Sequence, residues 1–211
     1  GRHVTRKLAE VMDIDEEAFR RGEVCSRLFG VLQVPSDRRR LQGLKSGSPK
    51  SEAAIQKAIA ADLAEGMEPG VLYFIGPGTT TRELKRLLGF DGTLLGVDAV
   101  RDGQLLAADC SEKQLLDLAA AQGPGGVKII ITPIGGQGFL FGRGNQQFSP
   151  EVLGQVGWKN ICVAAAPGKL AALGGAPLRL DTGDPHTDRA LSGYYRVTTG
   201  YREAVMVKAS P

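Results

Sequence analysis

The feature that most constrains this 211-residue chain is a cycle that recurs through its second half. A short, continuously apolar run is followed by a glycine-bearing turn and then by a segment with helical patterning. Val71-Leu72-Tyr73-Phe74-Ile75 runs through Gly76-Pro77-Gly78 into Thr79–Gly89, and Thr93–Val97, Val127–Thr132 and Asn160–Ala166 open three further cycles. A strand with no polar alternation is covered on both faces, as in a parallel sheet. Each parallel return needs a crossover, and the intervening segments have the length and caps of crossover helices.

The helix signals are explicit. Thr80 and Glu83 have capping-box spacing, Leu84, Leu87 and Leu88 share one face, and Gly89 is a natural stop. Ser111 and Gln114 repeat that spacing, with Gly123 as the stop. Ser149-Pro150-Glu151 puts proline at a first helical position and Gly157 ends that segment, while Pro167–Leu173 is a shorter helix. Ahead of these, Ile55, Ile59, Leu63 and Met67 recur every four residues and predict a helix over Ser51–Met67. Thr93–Val97 is strand-like, with a turn at Asp102-Gly103. Short β segments are expected at both ends, over Val4–Ile14 and Val24–Val34, and over Leu178–Leu180 and Tyr194–Val207, the last being hairpin-like. The expected fold is α/β, a mostly parallel Rossmann-like sheet with helices on both faces.

The polar, basic stretch Ser36–Ser51 divides the chain into a β-rich connecting segment, residues 1–50, and an α/β nucleotide- or phosphate-binding domain, residues 51–211. Hydrophobic residues at 42% and mixed charges at 23% are globular values. The net charge is +3, and Arg38-Arg39-Arg40 has no interleaved aromatics for base stacking, so nucleic acid is not an expected partner. Asp13, Asp15 and Glu16 read as a solvated acidic turn. No apolar run is long enough to span a membrane, and Cys25, Cys110 and Cys162 suit neither a disulfide framework nor a metal site, which fits a cytoplasmic protein. The start at Gly1-Arg2-His3, without Met, leads us to expect an upstream part.

In open α/β sheets ligands bind beyond the carboxyl ends of strands. Gly76, Gly78, Thr79, Thr80, Thr81 and Arg82 offer backbone N–H groups, hydroxyls, a helix N-terminus and a guanidinium, a set suited to phosphate. The loop is neither a Walker A sequence nor a GxGxxG fingerprint. A second loop, Thr132–Gln147, holds Gly135, Gly136, Gln137 and Gly138, and its density of glycine is expected to serve close approach to a ligand. Arg143, Asn145 and Gln146 are its polar contacts. A third, Asp181-Thr182-Gly183-Asp184-Pro185-His186, sets two carboxylates beside a histidine. Such a set orients a ribose hydroxyl or holds Mg²⁺, and it is equally a common turn sequence. Asp98, after the strand over Thr93–Val97, extends the same edge. Two histidines give no Ser-His-Asp or Cys-His set.

The segments YFIGPGTTTRELKRLLG, TLLGVDAVRDG, KIIITPIGGQGFLFGRGNQQFSPEVL and LRLDTGDPHTDRALSGYYRVTTGY resemble the C-terminal two-thirds of the bacterial ATP-NAD kinase-like family of the acetoin-catabolism (AcoX) type. The resemblance implies nucleotide binding for NADP synthesis, with ATP, NAD and Mg²⁺ as cofactors. It also implies an N-terminal kinase domain carrying GGDGT, a motif absent from these residues; Gly135-Gly136-Gln137-Gly138 is no substitute, because glutamine is neither a base nor a negative charge for Mg²⁺. Ligand-binding roles are therefore carried over, the catalytic residues stay unknown, and no metal ligand is assigned. The competing readings are a sugar-phosphate-binding, isomerase-like domain and a regulatory module, the latter a homo-oligomer indifferent to nucleotides.

Overall fold

A computed structural model describes residues 5–14, 26–36 and 49–211, with side chains over 30–33 and 51–211. The chain divides into two compact units, Gly1–Leu44 and Lys45–Pro211. In the first, β1 (Thr5–Ile14) and β2 (Ser26–Ser36) pair antiparallel from Thr5↔Ser36 to Ile14↔Ser26, with a register shift between Val11 and Met12. Asp15 and Glu16 of the acidic stretch and most of the polar stretch after Ser36 lie outside the described residues.

The second unit runs α1 (Pro49–Glu65), β3 (Leu72–Ile75), α2 (Thr79–Leu87), β4 (Asp98–Arg101), β5 (Gln104–Ala107), α3 (Glu112–Gln122), β6 (Val127–Ile131), β7 (Phe139–Phe141), α4 (Pro150–Val156), a 3₁₀ turn (Trp158–Asn160), β8 (Ile161–Ala164), α5 (Pro167–Ala171), β9 (Leu178–Leu180), α6 (Pro185–Leu191), β10 (Gly193–Gly200) and β11 (Glu203–Ser210). Its sheet has the order β5-β4-β3-β6-β8-β10-β11-β9-β7. The central strands β3, β6, β8 and β10 are parallel, as the apolar runs of β3, β6 and β8 led us to expect, and β9 is parallel to both β11 and β7. Antiparallel pairs occur at β3–β4, β4–β5 and β10–β11.

The central strands are buried because side chains leave them alternately to two covered faces. Leu72, Phe74, Ile129 and Ile131 join Leu115 and Ala119 of α3 and Val152, Leu153 and Val156 of α4 in one cluster. Tyr73, Ile75 and Ile130 join Ile59, Ala60 and Leu63 of α1 and Leu84 of α2 in the other. Helices thus cover both faces. Beyond β6 the chain continues to Ile134, which pairs with Phe139 of β7 in an isolated antiparallel bridge. The path β6-β8-β10-β11-β9-β7 therefore returns to the segment that extends β6.

Three local expectations are corrected. Thr93–Val97 is a loop; the strand begins at Asp98 and forms a hairpin with β5, turning at Asp102 (φ 51°) and Gly103 (φ 73°), as a two-residue reverse turn demands. The Thr80/Glu83 capping box does not form, since α2 starts at Thr79 with Gly78 as its N-cap and no side-chain cap. The Ser111/Gln114 box does form. Finally, the glycine-rich loop contains the strand β7, and Pro185 opens the helix α6, both unforeseen from sequence.

Candidate functional site

The ends of the neighbouring strands β3 and β6 build the first locus. Gly76 N–H donates to the Ile130 carbonyl (2.8 Å), and Gly78 N–H to that of Leu94 (3.0 Å). The helix bonds of α2 begin with Arg82 N–H on the Gly78 carbonyl (3.0 Å), so by position the amides of Thr79, Thr80 and Thr81 have no intrahelical acceptor. The Gly78 backbone (φ 130°) lies against the Thr132 methyl, where any Cβ would collide. Thr132 is 1% exposed. Its hydroxyl and Arg82 Nε are the two buried side-chain polar atoms left without a hydrogen-bond partner among the described residues. Leaving such a group unpaired costs about 1–3 kcal/mol, so both atoms ask for an acceptor that this unit does not provide.

Asp98 belongs elsewhere. It stands at the start of β4, 0% exposed, with Lys85 Nζ at 2.8 Å from Oδ2. Its oxygens also accept from Thr93 N–H, Thr93 Oγ1 and Asp109 N–H, each at 2.8 Å. Burial pushes the Lys85 ammonium below its ordinary pKa, and Asp98 opposes that. Lys85 also donates to the Thr93 carbonyl (2.8 Å). The result is a clamp that folds residues 91–97 over the pair and presents the Leu94 carbonyl to Gly78. Asp98 thus acts on the first locus through the backbone and has no exposed atom for a ligand.

The second locus lies past the carboxyl ends of β7 and β9, which run antiparallel to β3 and β6. A cleft of about 310 Å³ is lined there by Gly142, Arg143, Gln146, Phe148, Asp181 and Thr182, among others. Gly142 (φ 104°) is required because a Cβ would fall on the Asp181 carbonyl. Arg143 Nε is 3.4 Å from Asp181 Oδ2, with side-chain exposures of 69% and 50%. The Arg143 guanidinium lies 4.9 Å from the Phe139 ring centroid, and that of Arg179 at 5.7 Å from the same ring. Phe148, 1% exposed, walls the cleft and also faces Gly76, where a Cβ would come within 3.3 Å of its ring.

Two residues expected to contact ligand serve the protein itself. Asn145 is 0% exposed; its Oδ1 accepts from Gly142 N–H (3.0 Å) and its Nδ2 donates to the Leu140 carbonyl (2.9 Å), bracing the turn after β7. Asp184 caps α6, accepting from His186 N–H, Thr187 N–H and Thr187 Oγ1, and the Thr187 bonds hold its carboxyl below the usual range. Asp188 takes both the N–H and the hydroxyl of Thr182 (3.0 and 2.7 Å). Asp181 is left as the carboxylate of that loop that faces the cleft. Gly135, Gly136, Gln137 and Gly138 form a hairpin tip closed by the two bonds between Ile134 and Phe139 (2.7 and 3.1 Å), so their glycines answer to a turn. The loop near Gly135–Gly138 and the Arg143–Gln146 segment therefore sit at opposite ends of β7.

Sequence reasoning missed Thr132, Phe148 and Thr182. Thr132 carried a signal, as the first polar residue after a buried strand; Phe148 read only as an apolar residue ahead of a helix.

No group of three or more His, Cys, Asp or Glu side chains able to hold a metal occurs among the described residues. No helix there is long and apolar enough to cross a membrane. No curated protein and no solved structure matches the chain. The family described as the ATP-NAD kinase C-terminal domain matches residues 68–209, which contain both loci and the strands of the large sheet, all but the last residue of β11. The chain belongs to the ATP-NAD kinase C-terminal domain family.

Proposed function

We propose that this chain contributes the nucleotide-binding part of an ATP-dependent NAD kinase of the acetoin-catabolism type, in a cytoplasmic setting, and that phosphate groups of ATP or NAD seat at the N-terminus of α2. The observation that carries the reading is that two buried polar atoms lack partners, Arg82 Nε on α2 and the hydroxyl of Thr132, whose methyl lies against Gly78 at the start of that helix. A phosphate oxygen satisfies an N–H, a hydroxyl and a guanidinium alike, and the positive end of the helix favours its charge. The clamp of Lys85 and Asp98 holds this seat through Leu94, so the seat is pre-formed.

Among the described residues no group of carboxylates fits a protein-held Mg²⁺. Asp98 is ion-paired in the core, Asp184 caps a helix, and Asp181 pairs with Arg143. The residues here bind and orient, and in this reading the catalytic carboxylate comes from a GGDGT-bearing domain rather than from this unit.

Thermal unfolding of the 211-residue chain with ATP, NAD, NADP and phosphate tests the reading. Ligand at 100 times its Kd adds about 2.7 kcal/mol, which for a unit of this size moves the midpoint by roughly 5–11 °C. Arg82→Ala is expected to abolish the shift while keeping the fold. A nucleotide shift that Arg82→Ala leaves intact rejects the seat.

A further inference from the structure

We infer that the cleft past β7 and β9 is a separate seat for a ribosyl phosphate, the moiety that a mononucleotide and a free pentose phosphate share. The inference deepens the nucleotide reading, on which the choice of a ribosyl ligand rests, yet it stands on different residues. Arg143, Gln146 and Asp181 converge on one cavity from two loops that leave parallel neighbouring strands. A volume of about 310 Å³ is at the lower limit of ligand pockets, so the cleft takes a ribosyl phosphate and not a whole dinucleotide.

The polar groups are complementary in kind. Arg143 offers a fork of donors, held by its stacking on Phe139, and the nearby Arg179 adds positive field. Asp181 offers acceptors only. The two side chains meet at 3.4 Å, longer than a good charge-assisted bond of about 2.7–2.9 Å, and both are largely exposed. A weak pair of this kind is readily split by a ligand that gives Arg143 an anionic oxygen and Asp181 a pair of vicinal hydroxyls. Gln146, also lining the cleft, supplies a donor and an acceptor, and the Phe148 ring makes an apolar wall for the sugar carbons. The backbone is rigid where it matters: Gly142 fits against Asp181, Asn145 braces Gly142, and Asp188 fixes Thr182.

The test is calorimetric titration of the full chain with ribose 5-phosphate, AMP, inorganic phosphate and glycine, repeated on Arg143→Met and Asp181→Asn. Both positions are exposed, so both variants should fold. Arg143→Met is expected to weaken ribose 5-phosphate by tenfold or more, since a charged hydrogen bond contributes about 1.5–3 kcal/mol. Asp181→Asn should weaken ribose 5-phosphate but not inorganic phosphate, because only the sugar meets the carboxylate. Backbone amide signals of Gly142 and Gly183 should move on binding. AMP tighter than ribose 5-phosphate points to a nucleotide as the source, and the reverse order to a free pentose phosphate; either supports the seat. No ribosyl phosphate binding, unchanged affinity in both variants, or preference for glycine, whose ammonium and carboxylate fit the same pair, overturns it. Nucleotide shifts lost with Arg82→Ala but kept in both cleft variants would sink the cleft alone. Ribose 5-phosphate binding lost with Arg143→Met, with no response to any nucleotide, would sink the kinase reading alone.

Discussion

Replacing Lys85 by methionine removes one half of an ion pair in which both side chains are 0% exposed. Breaking such a pair from one side costs about 3–5 kcal/mol, because the remaining charge stays buried. Asp98 keeps three donors, from Thr93 N–H, Thr93 Oγ1 and Asp109 N–H, which places the expected loss near the lower bound, about 3 kcal/mol. At roughly 2–4 °C per kcal/mol for a unit of this size, the melting midpoint should fall by about 6–12 °C. Asp98→Leu should cost more than Lys85→Met, since it orphans all three of those donors and leaves the buried ammonium only the Thr93 carbonyl. Adding Asp98→Asn to Lys85→Met should cost less than the two single losses summed, as coupled partners do. Urea denaturation followed by circular dichroism at neutral pH gives each value. A loss below about 1 kcal/mol for Lys85→Met would refute the reasoning, since that is the range of an exposed pair.

Three further outcomes follow from named contacts. Gly142→Ala sets a Cβ on the Asp181 carbonyl in a left-handed conformation and should cost about 2–4 kcal/mol in urea denaturation, with loss of the cleft's ligand. Phe148→Ala, at a ring 1% exposed and edge-on to Phe141 at 5.9 Å, should cost about 3–5 kcal/mol by the same assay. Tyr195 is pushed up to about 12 by burial, with its hydroxyl donating to the Leu191 carbonyl (2.8 Å). The folded state therefore holds that proton longer than the unfolded chain, so the contribution is complete below the ordinary value of 10.0 and is lost as pH rises to about 12. Denaturation midpoints across that window should decline less steeply in Tyr195→Phe, which at neutral pH should be about 1 kcal/mol less stable.

The sheet was legible where burial alone decides the pattern. Val71–Ile75 and Val127–Ile131 have no polar alternation because both faces are covered, and Ser111, Gly123, Ser149 and Pro150 mark helix ends through local bonds that need no tertiary partner. The Thr93–Val97 assignment failed because its apolar residues line a loop folded over Lys85 and Asp98, a contact fixed by the third dimension. β7 was hidden because three residues between glycines carry no period, and its pairing with β9 joins segments about forty positions apart. At the sites, residue types identified the loops but not their grouping. Strand direction decides that, setting Arg143 and Asp181 together past the ends of the parallel strands β7 and β9. Asn145 and Asp184 have side chains that serve equally well as ligand contacts and as turn braces, and only their hydrogen bonds tell which.

A nucleotide phosphate at the N-terminus of α2 would meet the free amides of Thr79–Thr81. The most direct measurement is amide chemical-shift mapping of the full chain during titration with ATP and with NAD. The largest movements should fall at Gly78, Thr79, Thr80 and Thr81, with the Arg82 side-chain Nε–H signal moving in step. Saturating nucleotide that leaves those signals in place would contradict that placement.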